Sequence, residues 1–343
     1  MKNLIKIFLI VIILNHFGCM EDKGVPIVSF ELDTAAKILK YIESTGDFAN
    51  SVEAPALIFA EEVYENSEQL FVLDIRLQSE FVAGRILNSI NVSPERLFEV
   101  VDSLFTLKPE NKVVLVSKNG QASAYFVSLL RLAGFTNTYS LKYGMAYWNI
   151  DFADEWLNAL KNDEALSSYV NDGSPKLAVS NLPVLNVPPQ LKSDREITIY
   201  RIKEVIKNGF KSNINYAENF SSEVKSKHLK ICYGYRTLYE SVPLVGGVGH
   251  AEGTIMYYDN ARFELRSTNS LQTLPAGQPI LIYSGDGQLS ACVAAYLTVL
   301  GYNVKSLLFG ANQLFYSFMT TGRLLDDKFK PEEINNYPIV TGN

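Results

Sequence analysis

The sequence predicts an α/β fold of two tandem units, each a parallel sheet with helices on both faces. Three observations carry this. Short apolar strands alternate with helical stretches, as in "VVLVS" at 113–117 followed by a helix from about 121 to 133, a pattern that places helices over both faces of a parallel sheet. The chain has 343 residues, more than one typical domain needs. Finally, "LVSKNGQASAYFVSLLRLAGF" at 115–135 returns as "LIYSGDGQLSACVAAYLTVLGY" at 281–302, offset by about 167 residues, with Ser, Gly, Gln, Ser and Ala in the same order.

Residues 1–19 are expected to lie outside the fold. Lys2 and Lys6 precede an apolar run from Ile7 to Leu14, and small Gly18 precedes Cys19, the pattern of an export signal. The end of this segment resembles the lipobox of bacterial lipoproteins, with His16 where an aliphatic residue is usual. That resemblance implies lipid attachment at Cys19. Cleavage without lipid and retention of the segment as a short anchor remain alternatives, although the apolar stretch is short for a full span. The expected location is the bacterial cell envelope, at the outer membrane or periplasmic face, and the acidic "MEDK" after Cys19 is a candidate outer-surface address.

Residues 20–55 form an N-terminal extension. Ala35, Ile38, Leu39 and Ile42 recur at helical spacing behind an Asp33-Thr34 cap and before a Gly46 stop, and this helix is expected to pack on the first domain. The first domain spans 56–165, with strands at 70–75, 113–117 and 136–141 and a last helix from Trp148 to Leu160. Residues 166–194 carry four prolines and no helical period, which predicts an extended linker with Val184 to Val187 docked on a domain. The second domain spans 195–328 and a tail 329–343.

Composition narrows the chemistry. A net charge of -6 provides no basic stripe, so no nucleic-acid partner is expected. Only three histidines occur, at 16, 228 and 250, and none stands in metal-ligand spacing, so neither a metal nor a cofactor is expected. Cys232 and Cys292 both sit in apolar runs and read as core residues, while the sequence leaves open whether they pair.

In the first unit "LDIRLQSEFVAGRILNSINV" holds Asp74, Arg76, Glu80, Phe81, Gly84, Ile86, Ile90 and Asn91, with Arg85 at the position of a usual His. The second unit is looser, with Arg236, Gly249, His250 and Gly253 in place and Gly234 where an Asp is usual. On these residues and the two loops, 56–160 and 195–325 resemble the rhodanese-like family as a tandem pair. The resemblance implies an anion-cradling loop made of Ser117, Lys118, Asn119, Gly120, Gln121, Ala122 and Ser123, and a second made of Ser284, Gly285, Asp286, Gly287, Gln288, Leu289 and Ser290. It also places Asp74, Arg76 and Arg236 near the loop bases as structural residues.

Family sulfurtransferases carry a cysteine at the first loop position, where converging N–H groups and a helix N-terminus stabilise a thiolate and its persulfide. Ser117 and Ser284 stand there instead, and an alkoxide lies many pK units above a thiolate. Ala122 and Leu289 replace the frequent Arg of the family loop. No Gly-x-Ser-x-Gly elbow turns either serine into a hydrolase nucleophile. The expectation is a non-catalytic module that binds a small oxyanion or an envelope protein, with Lys118 favouring the first loop and Asp286 disfavouring the second. The alternative is a thiosulfate-type sulfurtransferase with Cys292 or Cys232 recruited. A third reading has the paired domains serve only to present a surface to an envelope partner.

Overall fold

Ten short strands build two five-stranded parallel sheets in the computed structural model, which describes residues 33–163, 165–215, 220, 228–244, 246–257 and 264–342. The expectations for the export signal, Cys19 and "MEDK" lie outside these residues. The first sheet comprises β1 (Leu57–Ile58), β2 (Leu70–Asp74), β3 (Ile90–Asn91), β4 (Lys112–Val116) and β5 (Thr138–Leu141), in the order β1-β5-β4-β2-β3. The second comprises β6 (Ile214–Asn215), β7 (Leu229–Tyr233), β8 (Thr254–Tyr257), β9 (Ile280–Tyr283) and β10 (Val304–Leu307), in the matching order β6-β10-β9-β7-β8. Every pairing is parallel, for example Leu70↔Lys112 through Asp74↔Val116. The central strands are continuous apolar runs because helices cover both faces. The shared strand order gives the repeated loop sequence a structural counterpart.

The helices are α1 (Thr34–Ser44), α2 (Ala60–Glu65), α3 (Gln78–Ala83), α4 (Leu97–Leu107), α5 (Gln121–Leu132), α6 (Met145–Trp148), α7 (Asp154–Ala159), α8 (Asp194–Asn208), α9 (Gln288–Val299), α10 (Ala311–Leu314) and α11 (Gly322–Asp326). The loop helices α5 and α9 pack on each other between the sheets. That explains the composition of α9, whose Ala291, Cys292, Val293, Ala294, Ala295 and Tyr296 are all inaccessible: a helix apolar all round is buried all round. Ser128 Oγ donates to Cys292 O at 2.9 Å across this contact. One apolar cluster runs through both sheets' helices, and both sheets belong to one compact unit that begins at Asp33.

Two expectations are corrected. The N-terminal helix α1 forms where expected, with Asp33 Oδ1 accepting from Ala36 N at 2.7 Å, but it rests on α8 of the second unit. Its apolar face meets that of α8, and Lys40 pairs with Asp194 at 3.3 Å. Glu43 holds Ser267, Asp47 pairs with Arg266, and Asn50 Oδ1 accepts from Leu265 N at 3.1 Å. The stretch from Trp148 to Leu160 is not one helix. Asn149 is extended (φ -154, ψ 143), which ends α6, and its side chain caps a 3-10 turn ahead of α7.

The linker is irregular apart from a 3-10 turn at Leu166–Ser168 and isolated bridges of Val170 with His250 and Ser174 with Ile255. Val184 is 92% exposed, while Leu185 and Val187 pack on the core. Residues 329–342 cross back to the first unit. Tyr337 N donates to Trp148 O at 2.9 Å, Val340 exchanges two backbone bonds with Arg85, and the Tyr337 ring stacks on Tyr64.

Candidate ligand site at the first loop

Each loop begins at the carboxyl end of a central strand and closes on a glycine in the left-handed region, Gly120 at φ +86 and Gly287 at φ +79. Any side chain at Gly120 would lie 2.7 Å from Tyr143 N, so the turn requires glycine twice over, by conformation and by space. Inside the first loop Ser117 Oγ accepts from Gly120 N at 3.1 Å and from Ser123 N at 3.3 Å. It also meets Ser123 Oγ at 3.0 Å, and Ser140 Oγ donates to Ser123 Oγ at 2.8 Å. Asn119 Oδ1 accepts from Gln121 N at 3.1 Å. The second loop repeats the pattern. Ser284 Oγ accepts from Ser290 N at 3.0 Å and donates to Ser290 Oγ at 3.3 Å, which meets Ser306 Oγ at 2.9 Å. Ser117 is 3% exposed and Ser284 2%. Both hydroxyls are thus absorbed by their own loops, and they occupy amides that would otherwise face a ligand.

Gln121 and Gln288, which the sequence assigns to the cradles, point away from them and into the opposite unit. Gln121 Oε1 accepts from Phe309 N at 2.8 Å, and its amide donates to Gly287 O at 3.2 Å and Leu307 O at 3.3 Å. Gln288 Oε1 accepts from Tyr143 N at 2.9 Å, while its amide donates to Asp286 Oδ2 at 2.5 Å. Both side chains are fully buried, so the exchange satisfies backbone groups that burial would otherwise leave bare. The resemblance between the loops therefore reflects an interlock between units as much as any ligand.

Asp74 and Arg76 form a buried ion pair at 2.6 Å, with Arg76 Nη2 also donating to Gly84 O at 2.7 Å, which ties the end of β2 to the turn after α3. Lys118 is held by Glu155 at 3.1 Å and Glu80 at 3.8 Å. Arg236 is exposed and pairs with Glu240 at 2.6 Å.

The surroundings of the two loops differ. The first opens on a cavity of about 650 Å³ bordered by Ser117, Lys118 and Ala122, with Phe126 of α5 below and Phe210, Lys211 and Ile214 of the second unit above. A neighbouring cavity of about 410 Å³ shares Lys118, Ala122, Phe210 and Ile214 and runs on toward Leu308 and Phe309. Sequence reasoning missed residues 209–214, which read there as no more than the end of a helix; the duplication was the one signal that the units face each other. The second loop is covered by the segment after α11. Asp327 lies against Gly285 where a side chain would stand, its carboxylate accepts from Tyr235 OH at 2.9 Å, and Asn312 ties Gly285 O to Asp327 O. Leu289 packs partly against the core. Burial, with Asp286 close by, pushes the Asp327 carboxyl up to about 7.

Neither thiol is open to a ligand. Cys232 in β7 and Cys292 in α9 are each 0% exposed, and neither is in a disulfide. Burial raises the Cys232 thiol to about 12, the opposite of what a nucleophile needs. Among the described residues no cluster of His, Cys, Asp and Glu could hold a metal ion, and no helix is long and apolar enough to cross a membrane.

No curated protein matches the chain. Among solved structures it is similar to a rhodanese-related protein from Thermoplasma volcanium, at 28% identity over 29% of this chain and 92% of that one, with a TM-score of 0.23. It is also similar to a thiosulfate sulfurtransferase from Pseudomonas aeruginosa (12% identity, 89% and 70% covered, TM-score 0.26). A 3-mercaptopyruvate sulfurtransferase from Leishmania major is similar at 13% identity, with 79% and 78% covered and a TM-score of 0.25. A family model described as Rhodanese-like domain matches residues 59–151, within the first unit.

Proposed function

We propose that this protein is a non-catalytic binding module made of two rhodanese-like units, which takes a small anionic ligand at its first loop. The observation that supports this best is the serine at each nucleophile position. Ser117 and Ser284 are buried, and each Oγ is bonded to a loop N–H and to the following loop serine. Sulfur transfer needs an accessible thiolate that can carry a persulfide, and an alkoxide is no substitute. The fully buried Cys292 and Cys232 supply none. Lys211 beside the first cavity favours an anion there, whereas Lys118 is already paired with Glu155 and Glu80.

Thiosulfate:cyanide turnover of the chain from residue 20 tests the reading. The parent is expected to be inactive, and Ser117→Cys to gain turnover because its loop faces a cavity. Turnover in the parent that disappears in Cys292→Ala would mean an enzyme with a relocated thiol and overturn the proposal. The reading extends to an envelope lipoprotein acylated at Cys19, supported by the charged, apolar and small-residue order of the N-terminus. Labelled palmitate should enter the full chain, expressed with its N-terminal segment, and not its Cys19→Ala variant; equal labelling would remove the anchor.

A further inference from the structure

The cavity at the first loop is larger and more apolar than an inorganic anion needs. About 650 Å³ falls within the range of sites that enclose small organic molecules, roughly 300–1,000 Å³. Its walls include Ile75, Leu77, Pro94, Phe126, Phe210 and Ile214. The neighbouring cavity extends this apolar surface past Ile214 to Leu308 and Phe309. Meanwhile the Gly120, Gln121 and Ser123 amides are already bonded to Ser117 and Asn119, so the loop itself has little left to offer an anion.

Arg76, Glu80, Lys118 and Lys211 carry the charges that border the first cavity, and Arg76 is paired with Asp74. Lys118 is neutralised by Glu155 and Glu80. Lys211, on the 3-10 turn Phe210–Asn213, makes no ion pair among the described residues. It stands beside Phe210, so of the three cations that border the trough one, Lys211, has no ion pair among the described residues.

We infer that the first site binds an organic monoanion with an extended apolar body, of the class of a medium-chain carboxylate. The head lies at Lys211 and the chain lies along Phe126 and Phe210 toward Ile214. This rests on the reading of the first loop as a binding site and names its ligand class. Selectivity follows from the two halves: an uncharged alcohol of equal length lacks the head contact, and thiosulfate lacks the body.

Titration calorimetry on the chain from residue 20 tests this with hexanoate, octanoate, decanoate, decanol and thiosulfate. Affinity should rise with each methylene buried, by up to about fourfold per step. Decanol should bind at least tenfold more weakly than decanoate. Lys211→Glu, an exposed substitution, should weaken decanoate at least fivefold and leave decanol unchanged. Ala122→Phe, which fills the space shared by the two cavities, should abolish decanoate binding. Affinity independent of chain length, or equal for decanol and decanoate, or untouched by Lys211→Glu would each overturn the inference. Binding of thiosulfate without decanoate would overturn it and leave the anion-binding proposal standing. Binding of neither, with no turnover gained in Ser117→Cys, would overturn both.

Discussion

Ser117 and Asp327 show how two loops of the same shape reach different ends. In the first, the serine hydroxyl takes the loop amides but the mouth stays open to the cavity beside Ala122. In the second, Asp327 fills the side-chain space that Gly285 leaves. Turnover should therefore appear in Ser117→Cys and be absent, or at least tenfold lower, in Ser284→Cys; the reverse order would mean that the Asp327 cover opens freely. Asp327 also makes stability depend on pH. Its folded pKa, about 7, lies above the ordinary carboxylate value, so the folded chain binds the extra proton. The contribution is fully present below about pH 4 and is lost as pH rises through about 7. Asp327→Asn should match the parent at pH 4 and melt higher at pH 8, by about 2 °C or more per kcal/mol relieved. Thermal melts at the two pH values decide it, and equal melting at pH 8 would show an Asp327 charge that is already well accommodated.

At the scale of elements, most of the architecture was legible and its assembly was not. Alternating strands and helices announced both parallel sheets, because a strand covered on both faces must be apolar throughout. The apolar run "SACVAAYLTVL" placed Cys292 in a core, yet nothing local says that its cover is "ASAYFVSLLRL" of the other unit. Gln121 and Gln288 read as cradle residues because the two loops share them and resemble the family's loop. Their real partners, Phe309 N and Tyr143 N, are 188 and 145 residues away. Residues 209–214 escaped for the same reason, since a cavity wall shared between units leaves no period in either. Gln121→Leu should destabilise by about 1–3 kcal/mol, because it strands the Phe309 N–H in a dry contact, while the Gly287 and Leu307 carbonyls keep backbone donors. Chemical denaturation measures this, and a loss below about 1 kcal/mol would mean that water replaces the amide.

For the molecule as a whole, the ends of the fold are crossed. The helix that precedes the first sheet lies on the second unit, and the segment that follows the second sheet lies on the first. Residues 56–165 on their own would expose the α5 surface that α9 covers and would lose the partners of Arg85 and Trp148. Expressed alone, this fragment should lack the dispersed amide spectrum of a folded domain; a well-dispersed spectrum would show that the interlock is dispensable. Ending the chain at residue 328 should raise amide exchange around Trp148 and Arg85 in the first unit, well away in sequence from the cut.

Tension has a different path through such a molecule than through two beads on a string. A pull between Asp33 and Gly342 first reaches Lys40–Asp194 and the Glu43–Ser267 contact at one end, and the Arg85–Val340 and Trp148–Pro338 bonds at the other. These act as a clasp: each end must be peeled from its neighbour's unit before load falls on the sheets. The force at which the protein gives way is then set by its two arms, and the interlocked glutamines behind them remain unstrained until an arm lets go.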